Sequence, residues 1–119
     1  MKENVVKDKS FKLAIRIVRL FQYLQTEKKE FIISKQLMRS GTAIGALVRE
    51  AEHAESKADF VHKMAIAQKE CNETLYWLEL LIATQYLTEQ ESTSIFEETT
   101  EIMKLITSII KSAKSNGNL

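Results

Sequence analysis

The sequence predicts an all-α protein, an antiparallel up-down-up-down four-helix bundle. Three observations lead there. The chain has no proline and only three glycines in 119 residues, so its interior turns are neither proline-marked nor glycine-rich. Apolar residues recur at helical spacing in four segments separated by short polar breaks. Two of those breaks end in capping boxes, Ser56 with Asp59 and Thr88 with Glu91, a pattern that satisfies free amides at a helix start.

The first helix is predicted over about residues 10–27. Phe11, Ala14, Ile15, Val18 and Phe21 repeat at helical spacing, and Leu13, Ile17, Leu20 and Leu24 fill the adjacent sector. A helix wetted on one side needs an apolar stripe of about 100°. The broader stripe here predicts burial against two surfaces, the helix's own bundle and a second subunit. After the charged TEKKE break, Ile33, Leu37, Ile44, Leu47, Val48 and Ala51 mark a second helix over about 33–54. The third, over about 57–86, follows Phe60, Met64, Ala67, Cys71, Leu75, Leu78 and Ile82. The fourth, over about 89–114, follows Ile95, Thr99, Ile102, Ile106, Ile109 and Ala113, and leaves residues 115–119 as a disordered tail. Helices of this length with short connections predict antiparallel neighbours in a single domain spanning 1–119.

Composition narrows the function classes. Apolar residues make up 45% and charged residues 28%, which predicts a folded chain rather than a disordered one. The opening MKENVVKDKS lacks the apolar run of a secretory signal, and no stretch approaches the roughly 18 apolar residues of a membrane span. The expectation is a cytoplasmic protein with no membrane partner. Cys71 has no second cysteine to pair with, and its neighbours Glu70, Asn72 and Glu73 supply no cation to stabilise a thiolate. It reads as a structural thiol.

Charge is divided unevenly. Residues 1–49 carry 11 Lys or Arg against 4 Asp or Glu, and residues 50–119 carry 6 against 12. Such a split fits a basic binding face, and it fits equally halves that attract each other within the fold or across an oligomer.

In RSGTAIGALVRE, Gly41 and Gly45 lie four apart inside the second helix. Each costs the helix about 1 kcal/mol relative to alanine, so the position must need a bare backbone. A close neighbouring helix is the favoured reason over a ligand.

The same residues carry a resemblance. RSGTAIGALVREAEHAESKADFVHKMAIAQKECNETLYWLELL, residues 39–81, resembles the signature region of the bacterial four-helix-bundle proteins related to the 23S ribosomal RNA intervening-sequence proteins. It also resembles the accessory variability determinant of diversity-generating retroelements, a basic relative that works with a reverse transcriptase and nucleic acid. The resemblance implies a homo-oligomer, a ring-like pentamer, with no catalytic residues and no cofactor. It further implies that Arg39, Gly41, Gly45, Glu50, Asp59, Phe60 and Glu73 form a shared structural kernel, with Glu73 offered to Arg39 or Arg49 as an ion-pair partner. Ala43 and Leu47 stand where the family pattern usually has serine and asparagine.

Candidates for chemistry are few. Glu50 with His53, and Asp59 with His62, have the spacing at which di-iron bundles place a carboxylate and an imidazole on one helix face. Both pairs flank one hairpin end and lack inward glutamates from the other helices, so no metal site is predicted. No strand precedes the glycines, so they form no phosphate loop. The chain is therefore not expected to be an enzyme. The candidate binding site is a stripe on the first helix, where Lys9, Lys12, Arg16, Arg19 and Tyr23 fall within about 80° of one another at 100° per residue. RNA or DNA is its expected ligand, beside a protein partner. The stripe also fits the solvated face that any amphipathic helix needs, and the alternative function is a purely structural or protein-interaction module. Tyr76, Trp77 and the methionines Met38, Met64 and Met103 are read as packing.

Overall fold

The computed structural model describes residues 1–116 and contains four helices: α1 (Lys2–Thr26), α2 (Ile33–Glu52), α3 (Lys57–Ala83) and α4 (Glu89–Ser115). Each packs on its neighbour in the chain, and α1 closes the ring of helices on α4. Cross-helix partners show the directions. Along α1, Lys2, Lys9, Arg16 and Tyr23 meet Ser108, Glu101, Glu98 and Glu91, so one number falls as the other rises. The same inversion joins Arg39 with Glu73 and Glu50 with Lys63 between α2 and α3, and Lys57 with Asn116 between α3 and α4. The architecture is up-down-up-down, about 49 Å long and 20 Å across.

The helix ends differ from the periodic pattern. α1 begins at Lys2 rather than near residue 10. The charged start conceals Val6, which is buried, and Ser10 sits inside the helix with its hydroxyl donating to the Lys7 carbonyl at 3.1 Å instead of capping a start. α3 ends at Ala83 rather than Tyr86 because Gln85 turns left-handed, with φ 69°. The Tyr86 amide then donates to the Leu81 carbonyl at 2.9 Å, and the Gln85 amide to that of Ile82 at 3.0 Å, a Schellman ending built without glycine. α2 stops at Glu52, two residues early. At the other end of the chain Ser115 still belongs to α4 and Asn116 caps it, while the remaining tail residues, 117–119, lie outside the described residues.

The start of α2 uses a device that the charged TEKKE break does not advertise. Glu30 is buried, and its carboxylate accepts from the amides of Ile32, Ile33 and Ser34 at 3.1, 2.9 and 2.6 Å. A carboxylate on three free amides at a helix N-terminus meets both their hydrogen-bonding need and the positive end of the helix dipole. Burial pushes the Glu30 carboxyl upward, but the three amides together outweigh it and hold the group below its ordinary value.

The core runs the length of the bundle, with Leu13, Ile17, Leu24, Leu37, Ile44, Met64, Leu78, Ile102 and Ile106 fully enclosed. Buried hydroxyls are all matched: Ser40 and Thr74 face each other across α2 and α3 at 3.0 Å, and Thr99 donates to the Ile95 carbonyl at 2.8 Å. The two α2 glycines face α1. A Cβ on Gly41 would lie 2.8–2.9 Å from three side-chain carbons of Ile17, whereas one on Gly45 would reach only van der Waals contact with Ser10, at 3.4 Å. The bare backbone at Gly41 is therefore space that Ile17 occupies.

Gly41→Ala is expected to lower stability by about 1–2 kcal/mol, because overpacking exceeds the gain in helix propensity. Gly45→Ala should be neutral or stabilising by up to about 1 kcal/mol. Urea unfolding of both variants checks the contrast, and an Ile17→Ala background should remove most of the Gly41→Ala penalty. Glu30→Gln should cost about 1–2 kcal/mol at neutral pH. Because the folded carboxyl titrates below its unfolded counterpart, Glu30 contributes fully above the unfolded pKa, and that contribution disappears as pH falls through the folded one. Unfolding curves of Glu30→Gln and the parent protein should therefore converge in acid.

Candidate functional site

The predicted basic stripe is divided by the fold. Lys9, Arg16 and Tyr23 point along the α1/α4 seam, where Lys9 pairs with Glu101 at 3.2 Å, Arg16 pairs with Glu98 and donates to the Ser94 hydroxyl at 3.1 Å, and the Tyr23 hydroxyl donates to Glu91 at 2.9 Å. Lys2, seven residues before Lys9, donates to Ser108. A seven-residue period is the repeat at which one helix keeps facing another in a left-handed bundle. Only Lys12 and Arg19 of the stripe turn to solvent, and Lys12 reaches Asp8 one turn back at 3.2 Å.

The seam is electrostatically specific. Glu91 accepts from the Thr88 amide at 2.8 Å, completing the α4 capping box, and from Tyr23 through its other oxygen. The Thr88 amide first, and then the Tyr23 hydroxyl, hold the Glu91 carboxyl below its usual range, and the same contact raises the Tyr23 phenol. On the other side of α1, Lys7 pairs with Glu52 at 2.8 Å and holds that carboxyl down. Part of the uneven division of charge along the chain is thus used inside one subunit, where Lys9 and Arg16 of α1 pair with α4 and Lys7 and Arg39 pair with Glu52 and Glu73.

The signature residues gather at the α2/α3 hairpin. Arg39 pairs with Glu73 and reaches Glu70 at 3.5 Å, and Glu73 also accepts from the Trp77 indole at 3.2 Å. Arg49 takes no part in this pair; its guanidinium lies 5.2 Å over the Phe11 ring. Glu50 pairs with Lys63 at 3.6 Å, and Phe60 packs half-buried against the core. Asp59 donates its amide to Ser56 at 3.0 Å and accepts from the Glu55 amide at 3.2 Å. Glu50, His53 and Asp59 line one open surface pocket with Arg49 and Lys63, and His62 is not part of it; the two carboxylates are engaged separately, both histidines are exposed, and no group of three such side chains placed to hold a metal ion occurs among the described residues. Cys71 is buried, and desolvation pushes its thiol up to about 12.

Two readings of the apolar pattern change. Tyr76 is 53% exposed rather than packed, and it meets the half-buried Trp77 edge to face at 4.9 Å. On α1 the core sector is Val6, Leu13, Ile17 and Leu24, while Phe11 and Ile15, 52% and 39% exposed, lie on a second apolar face with the half-buried Val18. Exposed cations Lys12, Arg19 and Arg49 border this face. Sequence periodicity registered the width of the apolar arc but not which half is buried.

These features define an antiparallel four-helix-bundle protein whose buried side-chain polar atoms, among the described residues, all have hydrogen-bond partners and whose first helix leaves an apolar face uncovered. Residues 2–108 match the family of 23S rRNA-intervening sequence proteins, and the chain belongs to that family. A crystal structure of a protein of unknown function from the S23 ribosomal protein family of Bacteroides thetaiotaomicron is similar at 60% identity. The alignment covers 93% of this chain and 99% of that one, with a TM-score of 0.92. No curated protein matches the chain. None of the described helices is long and apolar enough to cross a membrane.

Replacing Arg16 and Glu98 by alanine, singly and together, should give a coupling of about 0.5–1 kcal/mol that shrinks with added salt. A coupling of zero would mean that this ion pair adds nothing to the closing of the seam. Cys71 should resist iodoacetamide at pH 8 in the folded protein and react on unfolding, which mass spectrometry reads directly.

Proposed function

We propose that this protein is a non-catalytic, homo-oligomeric bundle that acts as an adaptor in the cytoplasm, with five subunits as the family resemblance implies. The observation that carries the proposal is the second apolar face of α1. Phe11 and Ile15 stand one turn apart in solvent, and a contiguous apolar patch rimmed by polar residues marks an association surface. Native mass spectrometry and light scattering of the purified chain should give a multiple of 13.7 kDa. A monomer at every concentration tested would overturn the proposal.

The second reading adds nucleic acid. Lys12 and Arg19 point outward on α1, and Lys28, Lys29 and Lys35 are exposed around the α1–α2 turn; the family itself takes its name from 23S rRNA. Few phosphate contacts per subunit make weak binding, but repetition around an oligomer multiplies them. Binding of a structured RNA across a salt titration tests this: affinity should fall steeply with salt, and Lys28→Glu with Lys29→Glu should flatten the slope. No binding at low salt would leave a protein-interaction module.

A further inference from the structure

Two surface regions of the bundle carry local clusters of charge without an ion-pair partner in another helix among the described residues. On the α1/α2 side, Arg19 and Arg49 have no carboxylate within ion-pair distance among the described residues, and Lys12 reaches only Asp8 of its own helix. These cations surround the patch of Phe11, Ile15 and Val18. On the far side, the C-terminal half of α3 and the N-terminal half of α4 enclose an open groove of about 430 Å³ whose lining includes Ile82, Phe96, Glu79, Glu89 and Glu97. None of these three carboxylates pairs with a cation among the described residues. The patch is bordered by three cations against one carboxylate, Asp8, and the apolar groove by three carboxylates, so the two are complementary in hydropathy and in net charge.

We infer that the α1 patch of one copy of this chain docks into the α3/α4 groove of a second copy, head to tail. The inference rests on the self-association proposed above and names its two surfaces. Helix order puts them on opposite sides: α1 packs on α2 and α4, with α3 across the bundle. One chain cannot close the contact on itself, and each copy offers one surface of each kind. Such a heterologous contact forms a ring when its rotation closes. Pairing the patch with another patch would instead set Lys12, Arg19 and Arg49 against their own counterparts, which like-charge repulsion opposes. The register is restricted as well. Beyond Glu79 and Glu97, toward the other end of the bundle, α3 and α4 expose Lys69, Lys104 and Lys111, so the cationic patch is directed to the Glu89 end of the groove.

The test uses the full chain and two variants, Phe11→Asp/Ile15→Asp on the patch and Glu79→Lys/Glu97→Lys on the groove. All four positions are exposed, and helicity with the thermal midpoint verifies folding; Phe11→Ser/Ile15→Ser replaces the patch variant if it unfolds. Each variant alone should lose assembly by at least roughly 100-fold and run as the 13.7 kDa monomer. Mixed, they should form a heterodimer and nothing larger, because each retains one intact surface. A parent chain that is monomeric throughout overturns self-association and this interface together. A parent oligomer whose mass neither variant changes overturns the interface alone. A monomeric patch variant beside an unaffected groove variant, with no heterodimer on mixing, overturns the head-to-tail arrangement in favour of a patch that pairs with itself.

Discussion

The seating of Ile17 on the bare backbone of Gly41 sets the geometry on which the rest of the bundle depends. A side chain at position 41 would meet three carbons of Ile17 at under 3 Å, so with Ile17 in its present place the α1–α2 spacing requires glycine there, and any side chain would force Ile17 to shift. With α1 held at that distance, the Ser10 segment comes to rest against Gly45 and Lys7 comes within reach of Glu52. The rotation of α1 about its axis follows. Val6, Leu13, Ile17 and Leu24 turn inward, the positions spaced by seven from Lys2 to Tyr23 face α4, and Phe11 and Ile15 are turned out.

Carboxylates then specify how the helices meet. Glu30 holds the start of α2, Glu91 joins the cap of α4 to Tyr23, and Glu73 links Arg39 to the Trp77 indole. Glu91 and Glu73 each act at two points, so a local capping or orienting contact also sets the register between elements. Exposed ion pairs contribute little energy individually. Their use here is directional: acids on α4 lying opposite bases on α1 favour one antiparallel closure over a slipped one.

What remains outward on α1 bears on function. A bundle of this size covers its core with one apolar face per helix, and α1 has two. Arg19 and Arg49 beside the second face are cations that the seam leaves unused, and Glu79, Glu89 and Glu97, also without an ion-pair partner among the described residues, lie across the bundle.

Helix number, helix type and the short connections were legible in the linear sequence, because apolar spacing and the absence of proline are local properties that each segment carries alone. The capping boxes at Ser56 and Thr88 were legible for the same reason, and so was the need for a bare backbone in the second helix. The start of α1 was not, since one buried valine in a charged run has no period to reveal it. The cap at Glu30 was hidden because it acts from outside the helix it caps. The basic stripe looked continuous because a helical wheel records angle, not neighbour. Only tertiary packing decided that Lys9, Arg16 and Tyr23 belong to α4 while Lys12 and Arg19 belong to the surface, for a side chain's role depends on what lies across from it. By itself the sequence determined a four-helix bundle with an overly wide apolar first helix; only the packing of α1 against α2 and α4, with Ile17 seated on Gly41, decided which part of that width became core and which part was left exposed.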